Sequence, residues 1–246
     1  MARQRRRPTA GDALECRLSE RAPVKILAID TSTEHCSVAL WCDGEIDARE
    51  AHAGQRHSEL VLDMAHELLA RHALRVAQID GIAFGAGPGS FTGLRIACGV
   101  AQGLAFAAGI PVAGICTLLA MAQAAPVARL VCCLDARVRE IYHAAYERSG
   151  TAWRTVHAPG LYAPAEAPLP PGEGWFGCGS GFAAYRDALA RRYRGVLSGI
   201  DAEIRPHARE IARLAAREFE QGRGVDAALA APLYVRDRVA LTTAER

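Results

Sequence analysis

The chain lacks most of the features that assign a function at sight. It has no CxxC pair: Cys16, Cys36, Cys42, Cys98, Cys116, Cys132, Cys133 and Cys178 lie mostly in apolar segments. That usage reads as reduced, buried thiols of a cytoplasmic protein and argues against a zinc site. No apolar run reaches the roughly 18 residues of a membrane span before Gly, Gln or Arg interrupts it, so no membrane association is expected. The basic start, MARQRRR, has no apolar stretch behind it, so a secretory signal is not expected either. An excess of one charge is also missing, since 29 Lys and Arg stand against 27 Asp and Glu for a net charge of +2. A chain so near neutrality is poorly suited to hold nucleic acid alone.

What is present is room for a core and an internal echo. With 246 residues, half of them hydrophobic, the chain has material for one large domain or two small ones. Residues 24–42, VKILAIDTSTEHCSVALWC, run from an apolar stretch through Asp30 and a polar turn into an alternating stretch. Residues 128–146, ARLVCCLDARVREIYHAAY, repeat the pattern with Asp135 in the place of Asp30. Each predicts a two-stranded hairpin. A second echo pairs GIAFGAGPGSFTGL with GWFGCGSGFAAY, each a strand entering a helix. Two diverged copies of one α/β unit are expected, 24–125 and 126–246, meeting near Pro126 behind a disordered basic tail over 1–23.

The glycine loop GAGPGSFTGLR looks like a phosphate cradle but fits neither familiar pattern. It has no Lys for a P-loop and the wrong spacing for a dinucleotide loop. Backbone N–H groups before a helix still favour an anion. Asp30, Thr31, Ser32, Gly87, Gly89, Ser90 and Thr92 are therefore the candidates for a residual nucleotide or anion site. Asp30 and Asp135 also suit plain turn roles. The following helix carries Gly99 and Gly103 on one face among alanines, which suggests close approach of another backbone, either the chain's own sheet or another subunit. Before the loop, Leu60, Val61, Met64, Ala65, Leu68 and Leu69 recur at helical spacing after Ser58, a suitable N-cap. His57 and His66 near that helix are expected to face solvent or a partner.

In order, ILAIDTSTEHCSVAL, HSELVLDMAHELLA, DGIAFGAGPGSFTGLRIACGVAQGLAF and LDARVREIYHAAY closely resemble the TsaB (YeaZ-like) family. Its members are accessory subunits in bacterial synthesis of threonylcarbamoyladenosine on tRNA. The resemblance is strong over residues 24–146 and looser to PLYVRD near the C-terminus. It implies an α/β chain of two tandem actin-like ATPase (ribonuclease H-like) subdomains from a duplicated unit. It implies a TsaD-like catalytic partner, which moves the threonylcarbamoyl group to the adenosine beside the anticodon, and a TsaE-like P-loop ATPase. The helices flanking the glycine loop become the contact, with Leu60, Val61, Met64, Leu68, Ile96, Gly99, Val100 and Gly103 as interface candidates. The same face allows a homodimer when the chain is alone.

Catalytic relatives bind a metal through an H-x-x-x-H pair. At that place this chain reads CTLLAMAQAA, and its eight histidines contain no i, i+4 pair. The second hairpin turn, DARVRE, has Ala136 and Arg137 where a small flexible turn is expected. No catalytic residue, metal ligand or cofactor is assigned to this chain, and ATP and a metal are expected through its partners. Contact with tRNA is expected only within the complex. The rival is a self-standing actin-like ATPase or metallopeptidase.

Overall fold

The computed structural model describes residues 24–42 and 44–235, so the basic tail expected over 1–23 lies outside the described residues. Lys25–Asp30 (β1) and His35–Cys42 (β2) form the first hairpin, in a register that sets Asp30 opposite Ser37. Apolar side chains at every position of β1 after Lys25, up to Asp30, let both faces be buried: Leu27 and Ile29 on one side, Ile26 and Ala28 on the other. Glu45–His52 (β3) pairs with β2 at the sheet edge. Its charges, EIDAREAH, hide it from a reading of alternation and suit an edge strand. Gly81–Gly87 (β4) and Val112–Cys116 (β5) add in parallel on the other side of β1, giving the order β3-β2-β1-β4-β5.

The second sheet repeats this plan. Arg129–Arg137 (β6), Glu140–Ser149 (β7), Ala152–Tyr162 (β8), Trp175–Cys178 (β9) and Leu197–Asp201 (β10) run in the order β8-β7-β6-β9-β10. Position for position, that is the order of the first sheet, with Asp135 near the end of β6 as Asp30 is at the end of β1. Two tandem actin-like subdomains from one duplicated unit account for it.

His57–Arg71 (α1) and Phe91–Ala108 (α2) cover one face of the first sheet. The counterpart of α1 in the second unit is shortened to the proline-rich stretch with a single helical turn at Pro164–Glu166. The counterpart of α2 is the pair Ser180–Ala184 (α4) and Arg186–Arg192 (α5), which packs on the second sheet through Phe182 and Leu189. Helix α1 starts at His57, with Arg56 rather than Ser58 before it. The His57 side chain itself is buried.

The remaining helices trade places. Thr117–Ala124 (α3) follows the first sheet but buries Leu118 and Met121 against Leu130, Cys132 and Leu134 of β6. Ala208–Glu220 (α6) follows the second sheet but buries Ile211, Ala212 and Ala215 against Ile26, Ala28 and Ala39 of the first. Its Phe219 ring lies so close over Gly81 that a β-carbon there would meet it at 2.5 Å. The sequence division at residue 125 therefore separates the strands, but the described residues after it do not pack as one body. The chain then returns along α2: Ala230 O accepts from Gln102 Nε2 at 3.1 Å, and Leu233 N donates to Ala86 O at 2.7 Å.

Candidate functional site

A cleft of about 1120 Å³ opens between the two sheets. Its walls are the β1–β2 turn, the glycine loop, the β6–β7 turn, the start of α4 and Leu233–Tyr234. Of the residues named for an anion site, Ser32, Gly89, Ser90 and Thr92 line it, whereas Asp30, Thr31 and Gly87 are buried behind the wall. Their groups, however, are largely engaged with one another.

Three glycines spaced by four explain the loop. A β-carbon at Gly85 would overlap Asp30 Oδ1, one at Gly89 would stand 2.5 Å from Ser32 O, and one at Gly93 would overlap Thr31 O. Each glycine thus clears space for one residue of the first hairpin turn. Hydrogen bonds finish the seal. Ser90 N donates to Ser32 O at 2.7 Å, Thr31 Oγ1 to Gly93 O at 2.6 Å, and Thr117 Oγ1 to Pro88 O at 2.5 Å. Ser90 also caps α2, its Oγ accepting from Gly93 N at 3.3 Å, whereas Thr92 stays exposed. Gly87 adopts φ 121°, and a β-carbon there would meet Leu233 O at 2.8 Å. The loop is built to lie against its own chain.

The two aspartates at the strand ends are treated differently. Asp30 is buried: Oδ2 accepts from Ser32 Oγ at 3.0 Å while Oδ1 has no hydrogen-bond partner. Loss of water raises its pKa from 3.8 to about 7, outweighing the Ser32 hydrogen bonds. Asp135 is half-buried and fully occupied, accepting from Arg137 N at 2.8 Å and Tyr185 Oη at 3.1 Å, with the Arg137 guanidinium 3.1 Å away. Among the described residues, no three His, Cys, Asp or Glu side chains gather as a metal site requires. The place of the relatives' H-x-x-x-H pair is α3, whose inner face is spent on Leu118 and Met121.

The second feature is the outer face of α1 and α2. Val61 and Leu68 are fully buried in the first subdomain's core and Met64 nearly so, which corrects their assignment to a partner contact. A helical stripe of apolar residues has the same sequence whether it meets its own sheet or another chain. Leu60, Ile96 and Val100 are half-buried at the border of that core. Gly99 and Gly103 are exposed, and a β-carbon at either would meet no atom within 4 Å. One turn on from Gly103, Phe106 is 80 % exposed, and on α1 Leu62 is 49 % exposed, two residues the sequence reading missed. By length and composition α2 would pass for a membrane span, with mean hydropathy 1.3, yet only 33 % of it is buried. Its apolar excess therefore lies outside the core. His57 is a further correction: it is buried, and burial lowers its pKa while a hydrogen bond at the Thr33 backbone opposes the shift. His66 is exposed.

Comparison with known proteins agrees with this architecture. Residues 51–243 match the family model of TsaD, tRNA N6-adenosine threonylcarbamoyltransferase. The tRNA threonylcarbamoyladenosine biosynthesis protein TsaB of Escherichia coli strain K12 is 37 % identical over 228 residues, 88 % of this chain and 96 % of that one. The TsaB of Haemophilus influenzae is 37 % identical over 87 % of this chain and 94 % of its own length. The solved structure of YeaZ from Pseudomonas aeruginosa superposes with a TM-score of 0.80 at 35 % identity, covering 86 % of this chain and 99 % of that one. The motif resemblance, the repeated sheet and these relatives converge: the chain belongs to the TsaB family, within the wider TsaD-related group of actin-like folds.

Proposed function

We propose that this chain is a non-catalytic subunit in the formation of threonylcarbamoyladenosine on tRNA, docking through the outer face of α1 and α2 onto a TsaD-like catalytic partner. The observation that carries the reading is the pair Gly99 and Gly103, open to solvent in the middle of an 18-residue helix. Each glycine costs such a helix about 1 kcal/mol relative to alanine. Among the described residues nothing in the chain's own packing uses the space, whereas a partner helix brought backbone to backbone would. Phe106, one turn on, and Leu62 on α1 supply exposed apolar surface. The cleft supports the same reading from the other side, because its glycine loop is bonded to the β1–β2 turn, Asp30 is sealed and Asp135 is paired. Group transfer falls to the TsaD-like partner with its metal, ATP hydrolysis to a TsaE-like ATPase, and the site of action is the cytoplasm. Alone, the chain offers the same face to a second copy of itself.

Light scattering on this chain mixed with the TsaD-like protein of the same genome tests the reading. A mixed species that gains tRNA threonylcarbamoylation is expected, and Gly103→Leu should weaken it while leaving the lone chain folded. Assembly and activity that survive this bulky side chain would reject the docking face. Steady ATP hydrolysis by the purified chain, abolished by Asp30→Ala, would reject the non-catalytic role.

A further inference from the structure

We propose that the β6–β7 turn, together with the start of α5 beside it, is a contact surface for the phosphate backbone of RNA. The inference rests on the function proposed above, in which the substrate is a tRNA. Three successive residues other than glycine take left-handed backbone angles here: Arg137 at φ 62°, Val138 at 50° and Arg139 at 61°. Left-handed geometry is costly for residues with a β-carbon, and most of all for a β-branched valine. The surroundings hold the turn in it. Asp135 N donates to Ser180 Oγ at 3.2 Å, and Tyr185 donates to Asp135 at 3.1 Å while taking a backbone hydrogen bond from Arg139. The result is a rigid finger at the cleft rim whose tip is exposed among the described residues. Val138 is 79 % exposed and the Arg137 side chain 83 %. Strain maintained by a firm scaffold is a mark of a working surface.

The charges around the finger point to the ligand. Arg137 is paired with Asp135, but Arg139, Arg186, Arg191 and Arg194 are exposed and face no carboxylate among the described residues. Elsewhere Arg49, Arg129, Arg154, Arg205 and Arg223 each meet one, and Arg56, Arg75 and Arg209, exposed and likewise without one, stand on separate elements. Arg186 directly follows Tyr185, the residue that pins the finger, and Arg191 and Arg194 continue along and just past α5. Over that length the helix spreads guanidinium groups across about 10 Å, interrupted by the acidic Asp187. Unpaired guanidinium forks spread over a hydrated surface match phosphates, which they hold in a bidentate manner. A protein interface would be expected to centre on a buried apolar or aromatic anchor, and here Val138 stands alone between arginines. The surface lies on the second subdomain, leaving the α1–α2 face of the first free for a protein partner. With so few free cations, the contact gives only weak, salt-sensitive binding by the chain alone and contributes most within the complex.

The test is fluorescence anisotropy of a labelled tRNA titrated with the mixed complex, from 50 to 200 mM salt, for wild type and an Arg139→Glu/Arg186→Glu double variant. Light scattering on the same samples reads assembly. The expected result is intact assembly, affinity weaker by about tenfold or more, and a shallower salt dependence by about one to two in the slope of log affinity against log salt. An Arg139→Lys/Arg186→Lys variant should keep the steeper slope. Unchanged affinity and slope with assembly intact overturns the inference and leaves the function standing. Assembly lost in the Glu variant also overturns it, since the surface would then be a protein interface. Where wild-type chains fail to associate at all, the function reading falls, and the same titration on this chain alone decides the inference: salt-sensitive RNA binding that the Glu variant loses supports it, and no binding rejects it.

Discussion

Asp30 shows how far a single residue can drift from the role its position suggests. It sits at the end of β1 facing the loop, where the sequence suits a turn residue or part of a residual anion site, and its place at the strand end was legible. Its surroundings were not, because they come from Gly85 and from Ile211 of α6, far away in the chain. Buried beside apolar groups, Asp30 holds its proton up to about pH 7, whereas in the unfolded chain it releases it near 3.8. The folded state thus binds the extra proton between those values, so stability falls as pH rises from about 4 to about 7 and is level above. Asp30→Asn removes that dependence. The variant should unfold at higher denaturant than wild type at pH 8, by an upper bound of roughly 4 kcal/mol, and lead it by less than half as much at pH 5. Urea titrations at the two pH values measure this, and an offset equal at both would show that Asp30 is ionised throughout.

At the scale of elements, the loop and α2 hold two kinds of glycine that the sequence cannot tell apart. Gly85, Gly89 and Gly93 make way for the first hairpin turn, while Gly99 and Gly103 face open space. The motif was legible and its purpose was not, since the partner of each glycine lies in another segment or another molecule. Opposite responses to one substitution follow. Gly93→Ala drives a methyl into the Thr31 carbonyl and should destabilise the chain by about 1–3 kcal/mol or more. Gly99→Ala meets nothing and should stabilise the lone chain by up to about 1 kcal/mol through helix propensity, while loosening the mixed complex. Thermal melts of the chain and of the complex separate the two, and a Gly99→Ala complex as tight as wild type would mean that backbones do not meet there. The same limit explains Val61 and Leu68: their spacing announced a buried face, but not which body would bury it.

For the whole molecule, the repeat was readable because each unit keeps its hairpin, its aspartate and its strand-to-helix step. The exchange of α3 and α6 was not, because an amphipathic helix carries no address for the sheet it covers. One consequence is testable by a change late in the sequence. Ile211→Ala removes a fully buried side chain from α6 and should cost about 2–5 kcal/mol, with amide exchange speeding first in β1 and β4 of the first sheet and less in β6 and β9. Loss of protection confined to the second sheet would contradict the exchanged packing. The exchange also constrains how the protein is made. The first sheet is complete once Cys116 has been synthesised, yet the helix that covers its second face ends about a hundred residues later, at Glu220. At ribosomal rates of ~5–20 residues per second the nascent chain carries an uncovered apolar sheet for roughly 5–20 s. During that interval it is a natural client for chaperones, and neither half is expected to survive as a separately expressed fragment.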